Sequence, residues 1–167
     1  MTDKPNLTIR SAYPQDAMII ARFIGELNRF EAQDTGISLN EYAQSLKRWL
    51  ANDAHPCRFI VAQHNNEAIG YAAFYTGYDI ASATHGTHLA DIFVTHAARH
   101  QGAGKAMMAY IADHTASIGG EWLSLTVLKN NTAAKRFYQS LQGVVVDVDF
   151  IAFGKSTLSA WRNEAIK

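Results

Sequence analysis

The chain has 167 residues, 48% of them hydrophobic and 18% charged, with Lys+Arg 15 balanced by Asp+Glu 15. That size and mixture suit a single globular domain over residues 1–167 with one core. A zero net charge speaks against broad nucleic-acid binding, no run approaches the ~20 apolar residues of a membrane span, and the lone Cys57 excludes an internal disulfide.

The opening MTDKPNLTIR has no basic-then-apolar signal. The expectation is a soluble cytoplasmic protein with no nucleic-acid and no membrane partner. Residues 7–12 alternate like a short strand. Pro14 and Asp16 then mark a helix start, and Ile20, Phe23, Ile24, Leu27 and Phe30 recur at helical spacing until Gly36 breaks the pattern. Asn40 is the expected cap of a second helix carrying Tyr42, Leu46, Trp49 and Leu50 on one side. Two strand-like runs, CRFIVAQH and AIGYAAFYTGY, flank the turn signal NNE, and residues 87–95 form a third. Cys57 begins the first of these runs and reads as a buried structural thiol.

A helix then starts near Gly104, turns Met107, Met108, Ile111 and Ile118 inward, and stops at Gly119-Gly120. Residues 122–128 read as a strand, NNTAAKRFYQSL as a short helix, and GVVVDVDFIAF as one or two further strands. Adjacent strands without intervening helices imply hairpins, and the later strand–helix alternation implies parallel pairing. The predicted class is α/β (α+β): a mixed, mostly antiparallel sheet with helices on both faces.

The stretch between the third strand and its following helix carries the chemistry. A Walker loop would need glycine at Arg99 and a hydroxyl at Ala106; a dinucleotide fingerprint would need glycine at Met107. Neither is present. What remains is strand, Arg99-x-x-Gly102-x-Gly104, helix. Glycines let N–H groups turn toward an anion, the helix N-terminus adds positive potential, and Arg99 and Lys105 add charge. These residues fit a pyrophosphate cradle; a ligand-free glycine turn is the plainer alternative. The seven histidines show no metal-ligand spacing, and no metal is expected.

Arg99-His100-Gln101-Gly102-Ala103-Gly104 resembles the acyl-CoA loop of the GNAT N-acyltransferases, Arg/Gln-x-x-Gly-x-Gly/Ala. A second motif of that family, Asn-x-x-Ala-x-x-Phe-Tyr, is similar to the run from Asn131 through Ala134 to Phe137 and Tyr138. The resemblance implies a V-shaped split between two parallel strands that receives acetyl-CoA as co-substrate. It implies that amides of His100, Gln101, Gly102, Ala103, Gly104 and Lys105 hold the pyrophosphate. The edge of Ile92, Phe93 and Val94 would pair with the pantetheine arm and offer an N–H to the thioester oxygen. Asn131 and Ala134 would stand near its acyl end.

Attack by an amine on a thioester needs the amine neutral. For a lysine-like group that costs about 4–5 kcal/mol at neutral pH. It also needs a donor for the oxyanion and a proton for the leaving thiolate. The resemblance makes Tyr138 that acid; as a helix residue alone, Tyr138 would read as a core aromatic. Within the family the chain looks closest to the diamine/polyamine branch, often homodimers, which implies a small-molecule amine acceptor with Phe30, Glu31 and Asp91 at the amine site. Glu31 is equally readable as a solvated helix carboxylate. Where that branch has Glu-Asp, this chain has Ala90-Asp91. His88 shares a strand face with Ala90 if no bulge intervenes and could replace the missing base through water; a bland surface or core histidine is the alternative. Tyr71 and Tyr75 alternate on one strand and line the acceptor pocket or pack the sheet. The alternative acceptors are a protein N-terminus or lysine, and the other class is an acyl-CoA-binding regulatory domain without catalysis.

Overall fold

The computed structural model describes residues 6–164, with the side chains of residues 163 and 164 left aside. It divides into two compact units, Met1–Thr126 and Val127–Lys167. The first holds a five-stranded sheet in the order β1-β2-β3-β4-β5. Its strands are β1 (Leu7–Ser11), β2 (Cys57–His64), β3 (Glu67–Asp79), β4 (Thr84–Val94) and β5 (Trp122–Leu125). The first four pair antiparallel and β4–β5 is parallel, as the sequence pattern predicts.

Helices α1 (Ala17–Phe30) and α2 (Leu39–Leu50) cover one face of the sheet. Phe23 lies between Tyr71 and Phe93, with ring centroids at 6.4 and 5.5 Å, and joins Ile20, Leu46 and Val61 in a buried cluster. Each such large apolar side chain contributes about 1.5–3 kcal/mol on burial. Helix α3 (Ala103–Ser117) is tied to the other face: the Thr115 hydroxyl bonds Thr87 Oγ1 at 2.7 Å, and Phe74 packs on His114 at 5.2 Å. Met107 and Ile111 are buried as expected, whereas Ile118 is exposed because it caps α3 just before left-handed Gly119 (φ 69).

Two local expectations are corrected. Ser38, not Asn40, caps α2: its Oγ accepts from Glu41 N–H, and Glu41 returns a bond to Ser38 N–H at 2.8 Å. The run GVVVDVDFIAF forms no strand. Between α4 (Thr132–Ser140) and α5 (Lys155–Glu164) the backbone has no regular structure, and Val144, Val146 and Phe150 are exposed. Alternation alone makes no ladder, and the unit Val127–Lys167 contains no described strand to pair with.

Candidate active site

Strand β4 is the centre of the site, and its register explains it. Ala73 pairs with Asp91 and Phe74 with Leu89, so Ala90 is a bulge. A bulge shifts the alternation by one. Cross-strand partners share a face, so Phe93, Asp91 and His88 stand with Tyr71, Ala73 and Tyr75 on the α1/α2 side. His88 therefore shares its face with Asp91, and the condition for grouping it with Ala90 fails.

The bulge also ends the parallel ladder. The β4–β5 pairs run from Gly86↔Trp122 to Leu89↔Leu125 and stop there. Beyond them β4 is paired only with β3. Thr95 N–H donates to Ile69 O at 2.9 Å, so odd positions 91, 93 and 95 address β3 while Ile92 and Val94 turn their backbone groups to the open edge. Val94 C=O accepts Arg99 Nε there at 3.2 Å. Of the expected strand-edge residues, Ile92 and Val94 turn their amides outward, and the Ile92 amide is also engaged by the Asp91 carboxylate. Phe93 does not: its amide faces β3 and its ring is 5% exposed in the core.

The strand leads into the loop before α3. His100 (φ 64) and Gly102 (φ 90) are both left-handed, a backbone form that turns successive N–H groups into one concavity. The first helical bond is Ala106 N–H to Gly102 O at 2.9 Å, so the amides of Ala103, Gly104 and Lys105 precede the helix's own ladder. A Cβ at Gly102 would meet nothing within 4 Å, which leaves open space against that backbone. These features fit a diphosphate. The side chains contribute less than the sequence suggests: Gln101 folds back on Ala97 O, and the Arg99 guanidinium lies 5.7 Å over the Phe30 ring.

On the α1/α2 face, the expected amine-site carboxylates come together. Tyr71 OH donates to Asp91 Oδ2. Burial pushes the Asp91 carboxyl above its usual range, against the Tyr71 bond and the Ile92 amide, which both favour the charged form. Glu31 is also raised, first by burial and then by the charge of Asp91. Burial and these two carboxylates push the Tyr71 phenol far up, so Tyr71 is a neutral donor. His88 is lowered by burial, its Nδ1 is 3.0 Å from Ser124 Oγ, and its ring packs on Tyr75 at 5.0 Å. Tyr42 and Ser124 are the neighbours sequence reading missed; only the register reveals Ser124, and Tyr42 shows only as a helix-stripe aromatic. A groove of about 580 Å3 runs between α1 and the α1–α2 loop, with Arg22, Glu26, Arg29 and Asp34 in its lining and Tyr42 shared with this face.

Asn131, Ala134 and Tyr138 lie in the unit Val127–Lys167. Asn131 Oδ1 accepts from Ala134 N–H at 3.1 Å and caps α4, which is a local reason for this Asn-x-x-Ala spacing. Tyr138 is half-buried and its ring packs on Phe137 at 5.3 Å. No group of three or more His, Cys, Asp or Glu among the described residues could hold a metal ion.

Comparison with known proteins agrees with the fold. The sequence model of the Acetyltransferase (GNAT) family matches residues 24–144. An uncharacterized N-acetyltransferase of Bacillus subtilis (strain 168), YhfO, is 28% identical over 147 residues, covering 88% of this chain and 95% of the relative. Among solved structures, an integron cassette protein from the mobile metagenome of V. cholerae superposes with a TM-score of 0.76 at 19% identity, over 93% of this chain and 97% of that one. The aminoglycoside N-acetyltransferase AAC(6')-Iy, solved with CoA, gives 0.76 at 16% identity, over 93% and 99%.

Proposed function

Because the chain belongs to the GNAT acetyltransferase family, whose co-substrate is acetyl-CoA, we propose that it acetylates a primary amine of a small molecule by direct attack in a ternary complex. One observation carries the reading: the open edge of β4 at Ile92 and Val94 runs directly into the left-handed loop His100–Gly102 at the start of α3. An edge that can pair with an extended amide chain, followed by a diphosphate cradle, matches the two halves of coenzyme A in order.

The pair Glu31 and Asp91 supports acceptors that carry positive charge, polyamines, diamines and aminoglycosides among them. Phe30 at the end of α1 supplies apolar surface beside them. Ile92 or Val94 N–H would hold the thioester oxygen as its charge develops. Tyr138 is proposed, on its motif, as the acid that protonates the leaving thiolate. The protein is further proposed to act in the cytoplasm as a homodimer.

The test is free-thiol release from acetyl-CoA across spermidine, putrescine, aminoglycosides, lysine analogues and short peptides, with Tyr138→Phe in parallel. Release with a cationic small amine, reduced in Tyr138→Phe, is expected. Release with peptides alone would replace the small-molecule acceptor by a protein one.

A further inference from the structure

The Arg99 side chain touches both halves of the site. Its Nε donates to Val94 C=O at 3.2 Å on the open edge, and its Cζ lies 5.7 Å over the Phe30 ring at the end of α1. We infer that Arg99 is a latch between the two. In the free enzyme it holds the acceptor face against cations; coenzyme A opens it by taking the Val94 carbonyl, so that a cationic amine binds well only after the co-substrate. The inference rests on the acetyl-transfer reading above and adds how one ligand governs the other.

Peptide geometry sets up the competition. Thr95 N–H donates to Ile69 O, so the Val94 C=O of the same planar peptide points the opposite way, to the open edge. Phe93 C=O points at β3, where a Cβ on Gly70 would collide with it, so Val94 N–H faces outward too. An extended amide chain joins such an edge by giving an N–H to a strand carbonyl and taking one in return. Beyond the bulge the outward residues are Ile92 and Val94, and the Ile92 amide is already engaged by Asp91. Val94 is therefore the residue best placed to pair through both its groups, and Arg99 sits on one of them.

The hold is of a kind that a ligand can break. Arg99 and Phe30 are exposed, and among the described residues the guanidinium forms no ion pair with a carboxylate. A neutral carbonyl and an exposed ring restrain it weakly. Its charge still counts at the acceptor face. Phe30 is followed by Glu31, whose carboxyl is raised by burial and then by the charge of Asp91. A guanidinium held over Phe30 opposes an ammonium that approaches these carboxylates. Arg29 does not share the position, because it turns back along α1 to Gly25. Once the pantetheine arm takes Val94 O, the freed guanidinium can turn to the diphosphate on the loop that starts at His100. The cation that guards the acceptor face in the free enzyme then neutralises the co-substrate.

The experiment reads the latch and then its consequence. NMR of labelled wild type, assigned through the backbone, should show a nuclear Overhauser contact between the Arg99 side chain and the Phe30 ring. Saturating CoA should remove it. A contact that persists with CoA bound overturns the inference, and this measurement needs no variant. Spermidine, as a cationic probe, is then titrated by calorimetry into wild type, Arg99→Gln and Arg99→Lys, with and without CoA. In wild type CoA should tighten spermidine about tenfold, and spermidine should tighten CoA by the same factor. In Arg99→Gln the enzyme without CoA should bind spermidine nearly as well as the wild type with CoA, and the coupling should vanish. Arg99→Lys keeps the charge and should keep part of the coupling. A residue that only shaped the loop would weaken CoA and leave spermidine binding to the free enzyme unmoved. That result, an unchanged coupling in Arg99→Gln, or a wild type whose spermidine binding ignores CoA overturns this inference alone. A protein that binds no CoA defeats the reading beneath it as well.

Discussion

Strand β4 is two strands in one. From Thr84 to Leu89 it is zipped on both sides, to β3 and to β5; from Ala90 onward it is zipped on one side only. The zipped half is closed by packing. Gly77 and Gly86 face each other across β3 and β4 and leave a flat bed for the Trp122 ring, whose Nε1 donates to Thr84 O. The open half keeps the core on one face through Phe93 and exposes backbone amides at its edge. A single extra residue separates the half paired on both sides from the half paired on one.

Proline substitution breaks that comparison most severely. Phe93→Pro removes an amide aimed at β3 and a buried ring, and should cost about 4 kcal/mol or more, read by denaturant unfolding. Val94→Pro removes an amide aimed at the open edge, where no ladder bond is lost. It should cost about 1 kcal/mol of stability yet lower kcat/KM roughly 10²-fold. Equal stability losses in the two variants would mean that the edge is not open. In the zipped half, Gly86→Val drives side-chain atoms into the Trp122 ring and should cost about 1–3 kcal/mol, with acetyl-CoA affinity of the folded fraction unchanged.

Much of this is legible in the sequence. The hairpin between β2 and β3 follows from Asn65-Asn66, both left-handed (φ 49 and 69) as a tight hairpin turn demands. The loop of Arg99 to Gly104 follows from glycine spacing before a helix. Three things were not legible. The bulge at Ala90 is set by cross-strand register, which no local pattern encodes, and it moved His88 from the company of Ala90 to that of Asp91. The side chain of Arg99 answers to Phe30 and Val94 O, contacts made across sixty-nine and five positions of sequence. The run after Gly143 alternates as well as β2 does, but alternation states which face a strand would bury and not whether a partner exists.

The loop that follows the open half gives a smaller and more selective effect. Gly102 sits at φ 90, where a β-branched side chain is strained although the space beside it is empty. Gly102→Val should cost about 1 kcal/mol in stability and about tenfold in acetyl-CoA affinity, because the strain disturbs the amides that form the concavity. Isothermal titration with CoA and with desphospho fragments separates the two terms. Loss of stability without loss of affinity would mean that the loop is only a turn.

The smallest effect concerns the seam of the zipped half. Burial lowers the His88 pKa below its ordinary 6.5, so the unfolded chain takes up a proton more readily than the folded one. Stability is therefore complete above about pH 6.5 and declines as the pH falls toward the folded value. His88 is partly solvated, so screening limits the change to a few tenths of a kcal/mol. Its place makes it detectable, because the imidazole bridges to Ser124 across β4 and β5. Amide exchange at Leu89 and Leu125 should quicken relative to the rest of the sheet at mildly acidic pH, after correction for intrinsic rates, and His88→Gln should abolish that excess. His114 supplies the control: burial, then Arg58, lowers it too, but it packs on Phe74 under α3, away from the seam. His114→Gln should leave the excess in place. If both variants abolish it, acid loosens the sheet as a whole and the seam at Leu89 has no separate stability.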